Sequence, residues 1–158
     1  MQKEEVSAGF PAFVEDLAGF VGWSTALRVV RAFGGCNLRV PIRPDGSSAG
    51  KEAFEVIAEG IGHEGAAVLV KEYGGERLYV PRCAAALREL RNAGIRREFD
   101  HLTKSESSAR ACSMLARKFN LSNRCIETII NRAPPQLPPQ LEDLLGIPGL
   151  LDPSSSPL

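Results

Sequence analysis

Ala26, Val29, Val30 and Phe33 fall at i, i+3, i+4 and i+7 with Leu27 beside them, and Ala66, Ala67, Leu69, Val70 and Tyr73 repeat the pattern forty residues later. That spacing lines one face of a helix, so each segment predicts a helix with a buried side. Gly34-Gly35 and Gly74-Gly75 follow directly, where a chain leaving a helix needs a positive φ, which glycine adopts without steric cost. Leu38-Arg39-Val40 and Leu78-Tyr79-Val80 then alternate with period two and end at a proline, the signature of short strands. Upstream helices are expected over about residues 11–20 and 51–61. Between them, residues 43–50 (Arg-Pro-Asp-Gly-Ser-Ser-Ala-Gly) read as a flexible loop.

These segments are two copies of one unit. Residues 22–41 recur without a gap as residues 62–81, with eight identities: Gly22/Gly62, Ala26/Ala66, Val30/Val70, both glycine pairs, Leu38/Leu78, Val40/Val80 and Pro41/Pro81. Two copies are too few for a solenoid, which needs three or more to bury a continuous core, and a duplicated helix-helix-strand unit is expected. Because isolated three-residue strands leave amides unpaired, the two strands are expected to pair, within the chain or across a dimer.

Beyond Pro81 the pattern is helical. Residues 84–91 and 95–102 read as two segments, bent or weakened at Asn92-Ala93-Gly94, and Thr103-Lys104-Ser105-Glu106 matches a capping box that opens a further helix. Residues 134–158 are proline-rich and acidic, a composition that does not sustain a packed core. They read as a tail, with an acidic, leucine-rich patch at residues 140–151 whose leucines favour docking on the protein itself. The expected domains are therefore 1–81, 82–133 and 134–158.

Net charge is zero over 158 residues, but the distribution is uneven: residues 1–81 carry 8 basic and 11 acidic side chains, residues 82–132 carry 11 and 5, and residues 133–158 carry none and 3. A basic block of this size between acidic neighbours is the electrostatic footprint of a small DNA-binding unit. The longest apolar runs fall far short of the ~20 residues needed to cross a bilayer. Met1-Gln2-Lys3-Glu4-Glu5 lacks the layout of a signal peptide, so a cytoplasmic location without membrane association is expected. The four scattered cysteines (36, 83, 112, 125) show neither zinc spacing nor a disulfide framework. No metal or cofactor is expected.

The basic block contains a helix-turn-helix pattern. Ala116 is the small residue that lets the second helix cross close to the first. Asn120 tolerates the positive φ of the turn, Leu121 plugs it, and Ser122 or Asn123 can cap the second helix. Leu115, Phe119, Ile126 and Ile129 supply the apolar core. With the isoleucines inward, Asn123, Arg124, Glu127, Thr128 and Asn131 turn outward, and their groups suit base edges in the major groove of double-stranded DNA. Arg110, Arg117, Lys118, Ser122 and Arg132 flank that face, where they would contact the phosphate backbone.

Residues 74–82 (Gly-Gly-Glu-Arg-Leu-Tyr-Val-Pro-Arg), the segments Leu87-Arg88-Glu89-Leu90-Arg91 and Ile95-Arg96-Arg97-Glu98-Phe99, and the helix-turn-helix ending at Asn131-Arg132 together resemble the Mor/C family of phage middle- and late-operon transcription activators. The resemblance covers about residues 60–132. It implies a mainly α fold with a small β element, in which a dimerisation region precedes the helix-turn-helix domain. It further implies a homodimer joined through strand residues Leu38, Val40, Leu78, Tyr79 and Val80, an inverted-repeat promoter site, contact with RNA polymerase, and a nucleoid-associated place in a bacterial host cell. The present chain departs from the family pattern by carrying the strand unit twice and by its acidic tail.

An alternative function is an antitoxin-like or inhibitor module in which the helix-turn-helix is secondary. Enzymatic readings have little support. His63 starts a helix and His101 ends one, where an imidazolium meets the negative end of the helix dipole. The glycine pairs follow helices, whereas phosphate cradles follow strands. Cys112 and Cys125, the latter partly inward, read as packing residues.

Overall fold

In the computed structural model, which describes residues 9–134, 137 and 139–146, both helix-helix-strand units are present. The first comprises α1 (Ala12–Val21), α2 (Trp23–Phe33) and β1 (Asn37–Arg39); the second comprises α3 (Ser48–Ile61), α4 (His63–Tyr73) and β2 (Arg77–Tyr79). Phe10–Cys83 forms one compact unit, and a second begins at Ala84.

Single glycines make the tight links. Gly22 and Gly62 have φ/ψ of 82/155° and 87/157°, a region open essentially to glycine alone. Each N–H closes the preceding helix, on Ala18 O and Ala58 O at 2.8 Å, and each carbonyl accepts the first bond of the next, from Ala26 and Ala66 at 3.0 Å. One residue thus serves as both exit and entry. The helix stops are subtler than expected, because only the second glycine of each pair has positive φ (Gly35 84°, Gly75 85°). Gly34 and Gly74 are needed for closeness: a Cβ there would lie 2.5 Å from Val30 O or 2.6 Å from Val70 O.

β1 and β2 pair antiparallel within the chain, Asn37 opposite Tyr79, Leu38 opposite Leu78 and Arg39 opposite Arg77. The strands lie one residue earlier than the alternation suggested, although Val40 and Val80 still donate across, to Glu76 O and Cys36 O, both at 3.0 Å. The core of this unit is the union of the two helix faces: Val14, Leu17, Leu27, Val29, Ile57, Leu69 and Val80 are all essentially inaccessible. Residues 43–50 are not wholly loop. Ser47 Oγ accepts from Gly50 N–H at 3.2 Å and caps α3, whose first turn is Ser48-Ala49-Gly50; the cap's side-chain bond outweighs the turn composition.

In the second unit, α5 runs unbroken from Ala84 to Leu102, so the expected bend at Asn92-Ala93-Gly94 is absent. Asn92 is buried, and its Oδ1 accepts from Arg91 Nη2 at 3.1 Å, while Gly94 costs the helix only ~1 kcal/mol. The capping box does not form either. Thr103 Oγ1 instead donates back to Phe99 O at 3.0 Å, closing α5, and α6 (Ser108–Phe119) is capped by Ser107, whose Oγ accepts from Arg110 N–H at 3.3 Å. α7 (Asn123–Asn131) follows, then α8 (Pro139–Glu142) and a 3-10 turn at Asp143–Gly146. Of the leucine-rich patch, Leu141 and Leu144 are buried, and Arg97 Nη1 donates to Glu142 O at 3.2 Å. Its remainder at residues 147–151, Pro135 and Pro138 of the proline-rich stretch before it, and the amino-terminal pentapeptide lie outside the described residues. Among the described residues no helix is long and apolar enough to cross a membrane.

Candidate nucleic-acid interface

α5, α6 and α7 enclose a small core of Ile95, Cys112, Leu115, Ala116, Phe119 and Ile126, with Phe99, Leu102, Leu121, Ile129 and Ile130 packed at its margin. The connection between α6 and α7 is fixed at each residue. Asn120 adopts the left-handed conformation, φ 53° and ψ 47°, which its short polar side chain tolerates better than most. Leu121 N–H bonds Ala116 O at 2.9 Å, so the small Ala116 lies under the turn. Of the two candidate caps it is Ser122 that acts, its Oγ accepting from Cys125 N–H at 3.2 Å.

The face of α7 opposite Ile126 is exposed and carries Asn123, Arg124, Glu127, Thr128 and Asn131. Two of these groups are partly engaged. Thr128 Oγ1 donates to Arg124 O at 2.8 Å, leaving its methyl and lone pairs outward, and Asn123 Nδ2 donates to Ser113 Oγ at 3.4 Å. Cys125 is exposed, not partly inward, since the inward stripe is completed by Ile130. Burial, with Glu127 adding a smaller effect, raises the Cys112 thiol above its ordinary pKa.

The flanking cations divide into two groups. Arg110 pairs with Glu106 at 3.2 Å, and Lys118 pairs with Glu98 at 2.9 Å. Arg117, Arg124 and Arg132 are exposed and form no side-chain hydrogen bond or ion pair among the described residues. The structure also brings in a residue the sequence reading did not single out: Arg96 Nε donates to Ile129 O at 2.9 Å, tying α5 to the last turn of α7. A cation at a helix C-terminus is favourable, but only the 33-residue separation closed by the fold brings Arg96 there. Burial, then the neighbouring Arg88, lowers the pKa of Arg91.

An open groove of about 1200 Å³ beside α5 is lined by Arg96, Arg97, Asp100, His101, Lys104 and Arg132 among others, with no Ser, Thr or Cys among the described residues of its wall. His63 is exposed at the first turn of α4 with its ring 6.0 Å from Phe54. Among the described residues no three His, Cys, Asp or Glu side chains cluster as a metal site would require.

The second unit thus contains a three-helix module, α5 to α7, with a cationic rim and a polar, solvent-facing α7. The chain belongs to the Mor transcription activator family, whose model matches residues 47–137, from the cap of α3 to beyond α7. It is a family of regulators of transcription. Searches of curated proteins and of solved structures gave no match.

Proposed function

We propose that the protein is a sequence-specific DNA-binding activator of phage or prophage type, acting in the cytoplasm at the nucleoid, in which α6 and α7 form a helix-turn-helix and α7 enters the major groove. One observation carries this reading. The face of α7 that carries Asn123, Arg124, Glu127, Thr128 and Asn131 is exposed on a helix capped at its start and tied to α5 at its last turn, and each of these residue types has a base edge it can address. Arg117, Arg132 and the Ser122 region supply phosphate contacts that set register. Residues 82–133 are the reading domain, the duplicated region is its scaffold, and RNA polymerase is the partner activation calls for. The strand residues Leu38, Val40, Leu78, Tyr79 and Val80 are paired within one chain, which argues against their joining two chains on an inverted repeat.

Selection of bound duplexes from random DNA, followed by a salt series, tests the proposal. Log affinity is expected to fall linearly with log salt, with slope about −0.9 per phosphate neutralised. Arg124→Ala is expected to relax preference at one base pair by ~1–3 kcal/mol, whereas Arg117→Ala weakens all sequences alike. Absence of duplex binding at low salt, or a flat salt response, refutes the reading.

A further inference from the structure

The two helix-helix-strand units are related by a local two-fold axis, and the relation extends to individual atoms. The ladder centres on Leu38 opposite its own equivalent, Leu78. Gly35 N–H bonds Val80 O at 2.7 Å while Gly75 N–H bonds Val40 O at 3.0 Å, and Val80 N–H bonds Cys36 O while Val40 N–H bonds Glu76 O. Each bond maps onto its counterpart by the forty-residue offset. Helices are exchanged in the same sense: α1 packs on α4, and α3 on α2. Tyr73 stacks edge-on against Phe20 at 5.9 Å, and at the equivalent places Phe33 covers Gly60, whose Cβ would meet the ring at 2.9 Å. Thr25 and its equivalent Gly65 face one another at the axis, a Cβ on Gly65 falling 2.8 Å from Thr25 Cγ2.

An arrangement of this kind, two like units exchanging strands and helices about a dyad, is what two copies of one chain make when they form an isologous dimer. Here a single chain makes it. The faces that a second copy would cover are already buried: Leu38 is 7% exposed, Leu78 8%, Val40 1% and Val80 0%. The family model begins at residue 47, so the second unit and the three-helix module lie inside it and the first unit lies outside. The two units are joined through residues 40–47. A short connection of that sort holds its ends at an effective concentration in the millimolar range, about a thousandfold above a separate chain at micromolar concentration.

We propose that residues 10–41 are a built-in substitute for a second copy of residues 47–81, so that one chain completes the two-fold unit alone and presents one α7 to an asymmetric, single half-site on DNA. The substitution in cis stands on the geometry above; the half-site rests in addition on the DNA-binding reading.

The full chain tests both parts. Without DNA, its mass by light scattering is expected to be that of one 17.0 kDa chain, with a Tm independent of protein concentration, because pairing in cis has no mass-action dependence. Asn37→Cys with Tyr79→Cys, in a Cys36→Ala background, places thiols on directly opposed, exposed positions. Oxidation is expected to give a 37–79 crosslink inside one chain. A dimer in solution, a Tm that rises with concentration, or a 37–79 crosslink between chains overturns the substitution in cis, and the first two need no variant. On selected DNA, one chain is expected per half-site, and doubling the site as an inverted repeat should raise affinity no more than twofold, the statistical factor. Cooperative binding of two chains to the repeat overturns the half-site. Failure to bind any duplex refutes the DNA-binding reading and with it the half-site, while leaving the mass and crosslink results to decide the rest.

Discussion

The close approach at Gly34 and Gly74 gives the most quantitative prediction. An alanine at either position places its Cβ 2.5 or 2.6 Å from the carbonyl oxygen four residues earlier, and 3.3 Å from a second backbone atom, Arg82 Cα or Ile42 O respectively. Both obstacles are backbone, so relief requires moving the helix end against the segment that follows the other unit's strand. Overpacking of this kind costs typically 1–3 kcal/mol, and we expect each substitution to fall in the upper half of that range, about 2–3 kcal/mol. For a unit of 60–100 residues, each kcal/mol shifts Tm by ~4–8 °C, so a loss of roughly 8–24 °C is expected from each. Gly19, exposed within α1 with no atom within 4 Å of a built Cβ, is the control: Gly19→Ala should stabilise by ~0.5–1 kcal/mol, the usual gain of alanine in a helix interior. Thermal unfolding followed by circular dichroism at 222 nm measures all three. If Gly34→Ala or Gly74→Ala leaves Tm unchanged, the close approach is wrong, and if the two differ by more than ~1 kcal/mol, outside the usual range of additivity error, the equivalence of the units is wrong.

Three further outcomes are expected. Arg96→Met should destabilise the second unit by only about 0.5–1.5 kcal/mol in urea unfolding, because loss of the charged hydrogen bond to Ile129 O is partly offset by removing Nη1 and Nη2, which are buried without a partner among the described residues; a variant more stable than the parent would mean that the bond does not hold α7. Glu98→Ala frees Lys118 from its carboxylate partner, so duplex affinity at low salt should rise a fewfold and its salt slope steepen by up to ~0.9, whereas unchanged affinity would exclude Lys118 from the phosphate contacts. Burial raises the thiol pKa of Cys112 above the ordinary 9.0; the unfolded chain therefore ionises first, and this thiol's contribution to stability, complete below pH 9.0, should be lost progressively above it. Cys112→Ala should flatten that part of the stability-pH curve, and an identical curve for the variant would contradict the assignment.

The repeat was readable because burial imposes periodicity: the same faces at Ala26–Phe33 and Ala66–Tyr73 meet in one core, and the alternation at Leu38 and Leu78 follows from one-sided burial of the strands. What composition misjudged were places where a single side-chain bond decides the local structure. Ser47 draws three turn-forming residues into α3. Thr103 closes a helix that its spacing to Glu106 suggested it would open, because its hydroxyl finds Phe99 O first, and Glu106 serves Arg110 instead. At Asn92 and Gly94, burial of α5 on two sides, at Leu90 and at Asn92 and Ile95, outweighs the weak helix propensity of both residues.

The outward face of α7 was readable for the same reason, and the limits of that reading are electrostatic. Inward positions identify themselves by being apolar, so Ile126 fixes which side of α7 faces out. Nothing in the order of residues states which cations are already neutralised, because that depends on carboxylates brought from elsewhere: Glu98 reaches Lys118 from twenty residues away, on another helix. Such exposed pairs are worth only ~0.2–1 kcal/mol, so a phosphate can displace the carboxylate at small cost. The exchange nevertheless subtracts from what the cation contributes to DNA. The +6 of residues 82–132 therefore overstates the charge ready for a duplex. Among the described residues, the cations flanking α7 that have no internal partner are Arg117, Arg124 and Arg132, and binding energy should concentrate there, with Arg124 alone among them on the face proposed to read bases.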